Sequence, residues 1–420
     1  MKTIMKLLTA NQQVSDYKIN IHSKESYELF FVKGALETVR CTDTCDKEVT
    51  VYVDHGEFKG DAQFFVYPST TGEQISSLID EAVSKALLIR NKGYELPGKE
   101  EGEYTVASNF SDYAPEDLAA LIARAVFDAN TVENASLNSV EIFINKHTET
   151  VLNSRGLHKT QVRYDTMVEA IPTYNGAQQS VELYEQYNFA SFDEAAVRAE
   201  ISGKMAEVKA RYEAITPKEA ISCDVVLNTQ EIAQLFFNIA RDLNYSTVYS
   251  HANLFQKGDA IQKAPEGDLL GVTMTGQVPG SVRSAKFDAD GMSLDSIRLI
   301  EEGKALNYYG SNRFGQYLEE TPTGSLPCLV ADPGTAVLPQ CYLEVVSMSG
   351  LQVDFYNDYI GGEVRLAYLV EGEKTTPVTG ISISGKFSDV LNHIRLSPES
   401  SIWGGYCGPN KAVLRHMKIF

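Results

Sequence analysis

The stretch Cys223-Asp-Val-Val-Leu-Asn-Thr-Gln-Glu-Ile-Ala-Gln-Leu-Phe-Phe-Asn-Ile-Ala-Arg-Asp-Leu243 is the most informative in the chain. Cys223 to Leu227 is a short apolar run of strand type. Asn228 follows as a helix N-cap with Glu231 three residues on, the pattern of a capping box. Ile232, Leu235, Phe236, Ile239 and Leu243 then recur at the spacing of one buried helical face. Just upstream, Thr216-Pro217 closes a helix expected over about 192–213, with Ser191 as its N-cap and Glu194 completing a box. The spacing therefore predicts two domains, 1–215 and 216–420, with the strand–helix unit opening the second.

Upstream of that boundary the patterns alternate between β and α. Residues 26–68 read as strands, with Val49, Val51 and Val53 alternating and a turn at Asp54-His55-Gly56. A helix is expected over 73–90 and a second from Pro115, which suits a first helical turn. Residues 138–188 return to β around a hairpin signal at Asn153-Ser154-Arg155-Gly156. After residue 268 the chain is rich in Gly, Val, Thr and Tyr, with a last short helix near 386–394. The class is α+β: an N-terminal α/β domain with a mixed sheet and long helices, then a mostly antiparallel C-terminal β domain.

Composition narrows the function classes. With 420 residues, 43% apolar and 22% charged, a large core forms without staples. The net charge of −19, from 37 basic and 56 acidic residues, argues against direct nucleic-acid binding, which needs a basic face. No run approaches the ~20 apolar residues that span a bilayer. The N-terminus lacks the uninterrupted apolar segment of a signal peptide. A cytoplasmic protein is expected. Its six scattered cysteines then read as reduced thiols, and Cys41-Thr-Asp-Thr-Cys45 lacks the second pair that a zinc site would need.

The seven histidines are His22, His55, His147, His158, His251, His393 and His416. No two lie within five residues of each other, so no H-E-x-x-H or H-x-x-x-H pair exists. Neither G-x-x-x-x-G-K-[ST] nor G-x-S-x-G occurs. Gly361-Gly362 and Gly404-Gly405 read as turns or bulges, and Asp288, Asp290 and Gly291 as a hairpin turn without the terminal Glu of a calcium loop.

Several segments, in order, resemble the TldD/PmbA family, whose members are also described as modulators of DNA gyrase. Phe287-Asp-Ala-Asp-Gly291 with Ile297-Arg-Leu-Ile-Glu-Glu-Gly303 is similar to the family's F-D-x-E-G and L-I-E-x-G stretch. Asn307-Tyr308-Tyr309, Thr323-Gly324 and the run from Thr376 to Leu391 fit its later strands and its P-V…I-x-G-N…L segment. In the first half, Asp54-His-Gly-Glu-Phe-Lys-Gly60 and Asn153-Ser-Arg-Gly156 resemble its D-G-x-x-G and N-S-x-G turns.

The resemblance implies a zinc peptidase ancestry. Active members carry H-E-x-x-x-H on the first helix of the C-terminal domain and a cysteine near the C-terminus. Neutral imidazoles and a thiolate hold the metal there, and the carboxylate serves the bound water. Aligned on the helix, the two His positions become Phe237 and Asp242 and the Glu position becomes Asn238. Phe cannot ligate, and Asn is no base at neutral pH. Tyr406-Cys407-Gly408 resembles the cysteine turn, which leaves Cys407 as a candidate cleft residue beside His251.

The expectation is a chain of the TldE/PmbA-like branch without catalytic or metal residues of its own. It would pair with a zinc-bearing TldD-like subunit, or with itself, around unfolded or small peptides. Two alternatives stand: a metallopeptidase or hydrolase with a site relocated to Asp242, Cys407 and His251, and a non-enzymatic interaction protein.

Overall fold

A computed structural model describes residues 1–420. Its helices are α1 (Lys2–Ala10), α2 (Gly72–Ala86), α3 (Pro115–Asp128), α4 (Glu194–Glu213), α5 (Thr229–Asp242), α6 (Tyr245–Tyr249), α7 (Asn312–Tyr317) and α8 (Phe387–His393). One nine-stranded sheet draws every strand from Asp16 to Phe189. Its centre is the antiparallel ladder Ala35–His55, Asp16–Val32, Ala135–Asn153 and His158–Asn175. Glu101–Thr105 joins the last strand in parallel, so the sheet is mixed. α3 and α4 cover one region of this sheet through Ile122, Val126, Ile201 and Met205, and α1 and α2 another through Leu8, Ile79 and Val83.

Two further sheets, of nine and six strands, come from Asp224 onward and are antiparallel except for one parallel pair each. α5 lies between them, against Asp224–Asn228 and Lys411–Leu414 of one and Cys328–Ala331 and Tyr406–Pro409 of the other. This explains the width of its apolar face. Ile232, Leu235, Phe236 and Ile239 all sit in the largest hydrophobic core of the molecule. Removing a side chain of the size of Phe236 from such a place costs about 3–5 kcal/mol. The fold class is the α+β arrangement expected, and no helix is long and apolar enough to cross a membrane.

Local details correct several sequence readings. α4 is capped by Asp193, not Ser191: its Oδ1 accepts from the main-chain nitrogens of Ala195 and Ala196 at 2.9 and 3.2 Å. At α5, Asn228 is the cap, accepting from Gln230 at 2.9 Å. Glu231 does not complete a box, because its side chain is buried within the molecule and one carboxylate oxygen has no partner. The reciprocal box forms instead at α2, between Thr71 and Gln74.

Gly361-Gly362 is not a turn. Both residues lie inside the strand Tyr359–Glu371, paired in unbroken register with Ser384 and Ile383. A Cβ on Gly361 would stand 2.3 Å from the Ile383 carbonyl, so close approach rather than bending selects glycine. The first strand begins at Asp16, well before the expected residue 26, and α1 was not anticipated. Charged residues hide that strand's pattern: Lys18 is buried, and its Nζ meets Asp290 Oδ1 at 2.5 Å.

Candidate functional site

The six residues expected from the resemblance to stand at the ligand positions run along α5 from Phe237 to Asp242. Phe237 is half-buried, with the Arg283 guanidinium 5.6 Å from its ring centre. Asn238 turns its amide back to its own helix, donating from Nδ2 to the Gln234 carbonyl at 2.8 Å, a local bond typical of Asn within helices.

Asp242 is 3% exposed, and both carboxylate oxygens are engaged: Oδ1 accepts from Leu254 N at 2.8 Å and Oδ2 from Phe255 N at 2.9 Å. Burial raises its carboxyl above the ordinary range, against the pull of those two N–H groups. These three side chains do not fit a zinc ion. One has no donor atom, one is a neutral amide bonded to its own helix, and the third is used to hold the 254–255 turn.

The two candidate cleft residues do not repair the set. His251 is exposed, in a left-handed conformation with φ 55°, and its main-chain nitrogen closes the turn after α6 onto Val248. Cys407 lies in the strand Tyr406–Pro409, directly after the Gly404–Gly405 turn. Tyr406 faces α5, its ring 6.1 Å from that of Phe236. Strand alternation therefore puts Cys407 on the opposite face, with its register partners Val330 and Ile402. Burial pushes its thiol above the ordinary cysteine range, which disfavours the thiolate a metal would need. Asp242, His251 and Cys407 form no ligand cluster, and the relocated site loses its geometric basis.

A cleft of about 490 Å³ opens where the N-terminal sheet meets the 282–289 loop of the second half. The sheet contributes His22, Glu149, Gln161 and Arg163, and the loop contributes Arg283 and Phe287. Arg163 grips Glu149 with two bonds, 2.6 and 3.1 Å, and Gln161 adds a third at 2.8 Å. Burial works to raise the Glu149 carboxyl, but these partners outweigh it and hold it below the ordinary range.

Behind the cleft wall runs a short relay. His22 Nε2 is 3.0 Å from His147 Nδ1, and His147 Nε2 is 2.7 Å from Asp165 Oδ2. Burial lowers the His22 imidazole below its usual value, against the pull of the Glu149 carboxylate. The relay reaches no nucleophile, since the nearby Thr150 hydroxyl pairs with that of Thr160 at 2.9 Å. Arg283 makes no ion pair with any side chain of the protein, so its charge faces the cleft uncompensated. The cleft thus presents a guanidinium, a carboxylate and an amide to whatever enters it. Sequence reasoning missed it because its residues come from five separate segments and share no spacing.

The two halves are locked together beside this cleft. Lys159 is fully buried, and its Nζ reaches the Gly291 carbonyl at 3.0 Å, Ser293 Oγ at 2.8 Å and Glu100 Oε1 at 2.6 Å. Asp288 shapes that hairpin, its Oδ1 accepting from Asp290 N and Met292 N at 2.9 and 3.0 Å. The Asp-Ala-Asp-Gly turn read from the sequence is thus one contact by which the second half docks onto the first, beside that of Lys92 and Glu95 with Gln316 and Tyr317.

Comparison with known proteins agrees with this architecture. Residues 220–419 match the model of the PmbA/TldA metallopeptidase C-terminal domain. The structure of TldE from Thermococcus kodakarensis is similar over 99% of both chains, with TM-score 0.80 and 14% identity. A proposed modulator of DNA gyrase from Bacteroides thetaiotaomicron is similar over 100% of this chain and 97% of its own, with TM-score 0.76 and 13% identity. Another from Thermotoga maritima is similar over 100% and 99%, with TM-score 0.75 and 14% identity. No curated protein matches the sequence. Residues 220–419 therefore carry the C-terminal domain of the PmbA/TldD metallopeptidase family, and the whole chain has the fold of these three structures.

Proposed function

We propose that this chain is the non-catalytic, TldE-type subunit of a zinc metallopeptidase complex, paired with a TldD-like subunit that carries the metal. The observation that carries this reading is the state of α5. At the family's three positions stand a phenyl ring, a helix-bonded amide and a carboxylate committed to two main-chain N–H groups. The role left to the chain is to bind and position an unfolded or small peptide. The cleft supports that role, with Arg283 offering a charge to a peptide carboxylate or carbonyl, and Gln161 and Arg163 shaping its floor.

The test is a peptide-hydrolysis assay on the purified chain with zinc added, alone and after mixing with a TldD-type subunit. The chain alone should release no product, and the mixture should be more active than the TldD-type subunit by itself. Chelator-sensitive hydrolysis by the chain alone would sink the proposal.

A further inference from the structure

Away from α5, one group of metal-ligand side chains converges. Asp389 and His393 lie one turn apart on the same face of α8. His416 reaches them from the connection between the strands Lys411–Leu414 and Lys418–Ile419. One ligand atom from each of the three lies within 4.8 Å of the others. The imidazoles of His393 and His416 sit with ring centroids 4.6 Å apart, though 22 residues separate them in sequence. Glu266 stands at the rim, its Oε2 3.4 Å from His393 Nε2.

We infer that Asp389, His393 and His416, with Glu266 as a fourth donor, form a zinc site that is separate from the family's degenerate helix. Three features carry the inference. First, His393 Nδ1 is 2.8 Å from the Asp389 main-chain carbonyl, which can only accept. In the tautomer with its proton on Nδ1, that carbonyl fixes the ring and leaves the Nε2 lone pair for a metal, the arrangement by which a second-shell carbonyl prepares a histidine.

Second, ligands about 2.1 Å from a tetrahedral zinc stand roughly 3.4 Å from one another. The His393–Glu266 contact of 3.4 Å and the His416 Nδ1–Asp389 Oδ2 contact of 2.9 Å are near that spacing, so small side-chain movements complete the shell. On binding, the ion takes the place of the proton that His416 shares with Asp389.

Third, His416 is held in place by the backbone. It adopts φ 61°, uncommon for a residue other than glycine, between a strand paired to Asp224–Asn228 and one paired to Ile381–Lys386. A pre-positioned ligand loses little freedom on binding. Two imidazole donors favour zinc over calcium or magnesium, which prefer oxygen alone. Arg395 is turned to the Glu266 main-chain carbonyl and to Asp268. The bound ion would pin α8 and the 264–268 loop to the chain's last strands.

The site is tested on the full-length chain, stripped with chelator and titrated with zinc against a chromophoric chelator. Wild type and Cys407→Ser should each bind one equivalent, and excess calcium or magnesium should not compete. His393→Gln and His416→Ala should weaken binding by more than the roughly tenfold to hundredfold that loss of an outer-shell partner costs. His416→Ala decides if His393→Gln unfolds, because the His416 side chain is largely exposed and its loss leaves the metal-free melting temperature nearly unchanged. Failure of wild type to compete for zinc, or undiminished binding by His416→Ala, would overturn the site. A zinc equivalent lost in Cys407→Ser instead would place the ion at Cys407, contradicting both this site and the subunit reading.

Discussion

Asp242 Oδ1 accepts from the main-chain nitrogen of Leu254 at 2.8 Å, and the same carboxylate's Oδ2 binds Phe255 N. The last residue of α5 is thus a fastener for the turn that follows α6. Asp242→Ala leaves two N–H groups without their acceptors and should cost about 2–4 kcal/mol in urea unfolding, at roughly 1–3 kcal/mol for each. Asp242→Asn keeps one acceptor and should cost less. The triple variant Phe237→His, Asn238→Glu, Asp242→His rebuilds the family pattern but should be destabilised and bind no zinc on α5, because the turn loses its anchor and Cys407 faces away.

Glu231 makes stability depend on pH in a direction opposite to most carboxylates. Burial raises its carboxyl from 4.5 to about 7, and Lys204 of α4 only partly opposes this while Glu207 adds to it. The folded protein therefore holds this proton where the unfolded chain has released it. Its contribution is fully present below about pH 4.5 and is lost as pH rises toward 7. Glu231→Gln should leave stability near pH 4 unchanged and raise it by up to about 3 kcal/mol at pH 8. Thermal melts of the two proteins across that range measure the difference directly.

Lys159 predicts how the halves come apart. Its ammonium replaces water for the Gly291 carbonyl and the Ser293 hydroxyl and pairs with Glu100. Lys159→Met should cost about 2–3 kcal/mol, since two buried polar groups lose their donor. Amide hydrogen exchange should accelerate first across residues 286–293, before the core around α5 opens.

Arg283 tests the cleft. It forms no ion pair and stacks only on Phe237, so Arg283→Ala should change the melting temperature little. In the complex with a TldD-type subunit, the same substitution should raise KM for a small peptide roughly tenfold to hundredfold with kcat little changed, the loss of one charge-assisted contact.

The fold was legible where periodicity and burial coincide. α5 announced itself through Asn228 and its apolar stripe, and the hairpin at Asn153–Gly156 through its turn residues; Gly156 indeed takes φ 88°. Legibility failed where burial falls on polar residues. Lys18 and Lys159 sit inside the N-terminal sheet because carboxylates and carbonyls from the second half meet them, and no local pattern carries that information.

That Phe237 offers no donor atom and Asn238 only a neutral amide was readable from their identities alone. The use to which Asp242 has been put was not, since it depends on a turn twelve residues away. The convergence of His393 and His416 was equally hidden, because two strands must form before the histidines meet.

The most direct measurement of the central claim is anomalous diffraction at the zinc edge from crystals of the full-length chain grown with excess zinc. The account predicts no peak on α5, with Asp242 still bonded to Leu254 and Phe255. A zinc peak coordinated by the Asp242 carboxylate, with that turn released, would contradict it.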